Sequence, residues 1–143
     1  MAQRMGNPSL VVPGALQPLL DLSEVLGKAG VEQSTLDLIR LRVAGLNGRV
    51  YTFPAEPADK RLLLVDTWRT EPSFTDAERA ALELAEAVTV QTDARSAPSD
   101  EVWANASKHY TDVQLGALVM HISLVNFWNR VNVATHQDDA VWR

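Results

Sequence analysis

The sequence predicts an all-α protein, a bundle of about six helices. Three observations carry that prediction. No segment sustains the two-residue alternation of a half-buried strand, so no sheet is assigned. Apolar residues recur instead at helical spacing, as in Leu16, Leu19, Leu20, Leu22, Val25 and Leu26. Helix-start signals also punctuate the chain: Thr75 with Glu78 three residues on, Ser99, and Thr111 with Gln114.

In order, residues 1–14 form a polar extension broken by Pro8 and Pro13. A first helix spans residues 15–28 and closes at Gly27 and Gly30. Ser34 is placed to cap a second helix over 35–46, ended by Asn47-Gly48. That helix is apolar nearly all round (Leu36, Leu38, Ile39, Leu41, Val43, Leu46), the mark of burial in the domain or under a second subunit. Pro54 and Pro57 make 49–59 a loop, and residues 60–69 form a short helix. The Thr75 capping box opens a helix to about residue 90, with Ala77, Ala81, Leu84 and Val88 inward and Arg79, Glu83 and Glu86 on a solvated face. Residues 91–98 are a loop. Ser99 caps residues 100–108, and Thr111 opens the last long helix, to about 134. The predicted domain is 15–135, followed by a tail, 136–143.

A length of 143 residues fits one domain, and 46% hydrophobic residues supply a core. The formal charge of −5, with no basic patch, argues against a nucleic-acid partner. Cysteine is absent, which excludes disulfides, thiolate metal ligands and dithiol redox chemistry. His109, His121 and His136 lack zinc-motif spacing, so no metal and no cofactor are expected. The N-terminus has no signal-peptide core, and the apolar stretch 115–128, interrupted by His121, Ser123 and Asn126, is too short to span a bilayer. The expectation is a cytoplasmic protein without a membrane partner.

Three stretches carry a resemblance. They are Asp37-Leu38-Ile39-Arg40-Leu41-Arg42-Val43-Ala44-Gly45-Leu46-Asn47-Gly48, then Ala81-Leu82-Glu83-Leu84-Ala85-Glu86-Ala87-Val88-Thr89, then Val125-Asn126-Phe127-Trp128-Asn129-Arg130. In order and spacing they resemble the carboxymuconolactone decarboxylase and alkylhydroperoxidase D-like family, over about residues 15–135. The resemblance implies an all-helical fold that assembles as trimers or hexamers. Its thiol-dependent members carry Cys-x-x-Cys after the Asn-Gly turn, with a histidine downstream and a glutamate on the preceding helix. At those positions this chain has Arg49, Thr52, Glu56 and Asp37. Pro54 and Pro57 also break the helix that would bear the motif. Peroxidase chemistry is therefore excluded. Other members act on a lactone without a thiol, but their acid–base histidine has no clear counterpart here.

The residues singled out for chemistry each have a bland alternative. Asp37 is a general base in one reading and the ion-pair partner of Arg40, three residues on, in the other. Arg49 can clamp an anion and Tyr51 can donate a proton, or they are a solvated arginine and a packed lid. Glu56 joins Arg49 as a substrate-binding candidate. His121 falls on the apolar face of the last helix with Leu118, Val125 and Trp128; it is either a core histidine with one nitrogen satisfied or an acid–base group near neutral pH. Asn126, Asn129 and Arg130 read as structural, with asparagine amides satisfying backbone at helix crossings. The functional expectation is thiol-independent catalysis on a small acidic or aromatic molecule, of lyase, decarboxylase or isomerase type. The alternative is a binding or accessory protein that keeps the fold and the oligomer. In the catalytic reading, Asp37, Arg49 and His121 should open onto one cavity.

Overall fold

The computed structural model describes residues 2–91, 93 and 96–143. Its elements are α1 (Pro8–Val11), α2 (Leu16–Gly27), α3 (Gln33–Leu46), β1 (Tyr51–Thr52), a 3-10 helix (Lys60–Thr67), α4 (Asp76–Thr89), α5 (Asp100–Ser107), α6 (Asp112–Ala134) and β2 (Ala140–Val141). The all-α expectation holds. Both capping boxes are formed: Thr75 and Thr111 accept from the backbone of Glu78 and Gln114, whose side chains bond back. Ser99 caps α5 as expected. Part of the expected 91–98 loop, at Thr92, Ala94 and Arg95, lies outside the described residues.

Four local expectations are corrected. Ser34 caps nothing, because α3 starts earlier, from Glu32, without a side-chain cap. The helix over 60–67 is 3-10 rather than α, opened by Asp59 accepting from Arg61. Pro8 starts a short helix rather than breaking one: it stands in the first turn, where no amide hydrogen is needed, behind an Asn7 cap. Tyr51–Thr52 and Ala140–Val141 form a small parallel pair where no strand was assigned; two residues are too few to show a period.

Helix α3 is central, packed against α4, α6 and the 3-10 helix. Its apolar circumference is covered within the chain, with Leu38, Ile39 and Val43 fully buried. One core cluster joins α3 to α6 through residues such as Ile39, Leu118 and Ile122. A second gathers Leu38, Leu62, Trp68, Phe74 and Leu82, with Phe53 and Trp142 packed against it.

Two polar networks link the helices. Glu86, expected in solvent, accepts from Arg42 Nε at 2.9 Å, Trp68 Nε1 at 2.8 Å and Arg69 at 2.9 Å. Burial alone would raise its pKa; the three donors outweigh burial and hold it below the usual glutamate value. Asn126, read from the sequence as structural, is buried at a helix crossing. Its Nδ2 donates to Thr89 Oγ1 at 3.0 Å and the Ile122 carbonyl at 2.9 Å, and its Oδ1 accepts from Asn47 at 2.9 Å. Asn47 also donates to Asn129 Oδ1 at 3.0 Å, so one cluster ties α3, α4 and α6 together. Asn126→Ala leaves buried donors and acceptors without partners and opens a small void. It should cost about 3 kcal/mol in urea unfolding; a cost under about 1 kcal/mol would show that the cluster is peripheral.

Two helix ends turn the chain back toward each other. After α3, Gly48 takes φ 74° and Arg49 N–H reaches the Ala44 carbonyl at 2.8 Å. After α6, His136 takes φ 54° and Gln137 N–H reaches the Asn132 carbonyl at 2.9 Å. Both are Schellman closures. They bring β1 beside β2, so that residues 140–142, part of the expected tail, run across the body of the protein.

Candidate functional site

Two helical faces meet under that strand pair. On α3, Gln33, Leu36, Asp37 and Arg40 recur at three- and four-residue spacing, and on α6 His121, Leu124, Val125, Trp128, Asn129 and Asn132 do the same. With Tyr51 from β1 and Val141 and Arg143 from the C-terminal segment, they line a cavity of about 450 Å³. Three of the predicted residues, Asp37, Tyr51 and His121, thus share one cavity although they are far apart in sequence.

His121 Nε2 lies 3.0 Å from the Leu36 carbonyl. A carbonyl only accepts, so Nε2 carries the hydrogen and Nδ1 keeps its lone pair. Burial is the main cause that lowers the imidazole pKa, with the Arg40 charge adding to it; the Leu36 contact and Asp37 oppose. The ring is therefore neutral at neutral pH. In the unfolded chain it takes up a proton near pH 6.5, which the fold resists, so stability is full above that value and falls as pH drops below it. His121→Gln should flatten the loss of stability between about pH 7.5 and about pH 5.5 in urea titrations; an unchanged slope would remove His121 as its source.

Asp37 accepts from Gln33 Nε2 at 3.0 Å. The expected Asp37–Arg40 ion pair is not formed: among the described residues Arg40 makes no hydrogen bond or ion pair. Its guanidinium carbon lies 3.7 Å from the centre of the Trp142 ring and 5.2 Å from that of Tyr51. The two rings meet edge to face at 5.2 Å, so Tyr51 is a packed residue of this stack.

Arg49 and Glu56 are not where the functional reading placed them. Arg49 donates to the carbonyls of Gln137 at 3.0 Å and Asp138 at 2.7 Å and lies 3.9 Å from Asp139, clamping the C-terminal segment. It lines a different cavity, with Val50, Phe53 and Asp66. Glu56 is exposed and pairs with Lys60 at 3.4 Å. The cause is the replacement of a helix after Gly48 by a strand and a proline-broken loop, which carries both side chains away from α3. Arg40, Asn132 and Arg143 are the cavity groups that sequence reasoning missed, along with Trp142, which stacks on Arg40. Arg40 was legible in the Gln33–Leu36–Asp37–Arg40 spacing; Trp142 had no local signal.

Among the described residues, no helix is long and apolar enough to cross a membrane, and no cluster of His, Asp and Glu is arranged to hold a metal ion.

The fold is alkylhydroperoxidase D-like, with no cysteine anywhere in the chain. The match is to the crystal structure of an Agrobacterium tumefaciens protein of unknown function, proposed to be the antioxidant defence protein AhpD. The TM-score is 0.81 at 23% identity, covering 99% of this chain and 100% of that one. In sequence the chain is 26% identical over 142 residues to the uncharacterized protein YdfG of Bacillus subtilis, covering 94% of this chain and 95% of that one. No protein-family model matches.

Proposed function

We propose that this chain is a cysteine-less relative of the alkylhydroperoxidase D-like and carboxymuconolactone decarboxylase proteins that acts on a small acidic or aromatic molecule by proton transfer. The convergence of Asp37 and His121 on one cavity supports this reading above all else. A carboxylate and a neutral imidazole, both facing the same space, can take a proton from one atom of a bound molecule and return it at another. Isomerase, lyase and decarboxylase reactions need that and no redox partner. Peroxidase turnover needs a thiol to become sulfenic acid and a second thiol to resolve it, and the chain supplies neither.

The test is a mass-spectrometric turnover screen over small aromatic, hydroxy and dicarboxylic acids, run beside an alkyl hydroperoxide with a dithiol donor. The reading expects conversion of at least one acid and hydroperoxide consumption equal to the blank. Hydroperoxide turnover, or inertness toward every acid, would overturn it.

The same reading includes self-association. Val113, Met120 and Phe127 stand seven residues apart on α6 and remain 69%, 48% and 44% exposed, a stripe that a second copy would cover. Light scattering should give three or six times the 15.7 kDa chain, and a stable monomer would contradict it.

A further inference from the structure

Among the described residues Arg40 is a cation without a counter-ion. Its Nε is shut off from solvent and has no hydrogen-bond partner, and its guanidinium stacks on Trp142 at 3.7 Å. Aromatic faces stabilise a cation but accept none of its hydrogens in a directed way. A buried donor is ordinarily paired, because its desolvation is otherwise uncompensated. The same cavity holds a second orphan, the buried Oδ1 of Asn132, an acceptor with nothing to accept. These are the only buried side-chain polar atoms without partners among the described residues, and both belong to residues that line this one cavity. Arg143 lines the cavity as well. Its apolar wall is Leu124, Val125, Trp128 and Val141.

We propose that Arg40 is the anchor of a carboxylate-binding site, and that the bound molecule is a small hydroxy-carboxylate whose hydroxyl hydrogen-bonds the Asn132 amide and whose apolar body lies against Trp128. The anion completes Arg40 through charge-assisted hydrogen bonds from its terminal nitrogens while the stacked rings keep the guanidinium plane fixed. The inference rests on the cavity being the functional site, and it names the chemistry of the ligand and the residues that read it.

Calorimetry with the three monohydroxybenzoates, benzoate and the matching hydroxybenzamides tests it on the full chain. At least one hydroxybenzoate should bind below about 10 mM, the weak end of specific small-molecule affinity. The matching amide, which lacks the charge, should bind at least about tenfold more weakly, and benzoate about fivefold more weakly for the lost hydrogen bond. Arg40→Gln should lose about tenfold or more for the hydroxybenzoate, and Arg40→Lys, a point charge without the planar fork, should recover part of it. The wild-type comparison of acid with amide stands even if an Arg40 variant folds poorly. Equal binding of acid and amide, unchanged affinity in a folded Arg40→Gln protein, benzoate as tight as its hydroxylated forms, or no binding of any acid would each overturn the proposal. Arg40-dependent binding without turnover of any acid leaves this site standing and removes the catalytic reading. Turnover of an acid with KM unchanged by Arg40→Gln does the reverse.

Discussion

Asp37→Asn should lower kcat on any acid that the protein turns over by about a hundredfold to ten-thousandfold, the range of a lost general acid–base group. The substitution preserves shape, and an asparagine oxygen can still accept from Gln33, whose Nε2 lies 3.0 Å from Asp37 Oδ1. The fold and the mass in solution should therefore be unchanged. KM should move little, because ligand anchoring rests on Arg40. Arg40→Gln should show the opposite pattern, with KM raised and kcat less affected. The measurement is steady-state kinetics on both variants with circular dichroism as a folding control. An Asp37→Asn protein that retains kcat would show that Asp37 only shapes the wall of the cavity.

Trp142→Ala should be costly for stability and for binding together. Trp142 packs on Phe53 at 5.7 Å and Tyr51 at 5.2 Å and covers the Arg40 guanidinium. Its amide also donates to the Thr52 carbonyl at 2.8 Å, which the substitution leaves in place. Losing the indole removes apolar burial against the second core cluster, an aromatic pair and a cation–π contact, together about 3 kcal/mol. It also frees Arg40 to swing into water, so hydroxybenzoate affinity should fall about tenfold. Urea unfolding and calorimetry on one preparation read both effects. A loss under about 1 kcal/mol with full affinity would mean that the C-terminal segment lies on the protein without organising it.

The parts of this structure that were legible in the sequence are those fixed by local chemistry. Thr75, Ser99 and Thr111 announced their helices because a side-chain oxygen facing an amide three residues on is a local event. The last helix was legible from its length and period. The strand pair was not, since Tyr51–Thr52 meets Ala140–Val141 only because two Schellman turns aim them at each other. Glu86 was misjudged for a related reason: helical spacing assigns polar residues to water, and here Trp68, Arg42 and Arg69 cover it instead, whereas Asn126 was read correctly as an amide at a helix crossing.

The site divides the same way. His121 lies on a long helix whose face can be counted, and Val125 and Trp128, counted on its side, line the cavity beside it, while Asp37 was singled out by its place in the resemblance. Arg49 and Glu56 were placed by their position in a motif that relatives carry on a helix; with Pro54 and Pro57 that helix is gone and so is the geometry. Arg40 was read as a partner for Asp37 because the two are three residues apart. Spacing permits that contact, but Trp142 and Tyr51 hold the guanidinium elsewhere.

The central claim, that the cavity between α3 and α6 receives a small acid, is tested most directly by a crystal structure with the tightest-binding hydroxybenzoate. The predicted result is a carboxylate within hydrogen-bond distance of Arg40, a hydroxyl on Asn132, and Asp37 and His121 lining the space beside the ring. A molecule bound elsewhere, or an unfilled cavity with Arg40 still unpaired under Trp142 at a saturating concentration, would contradict it.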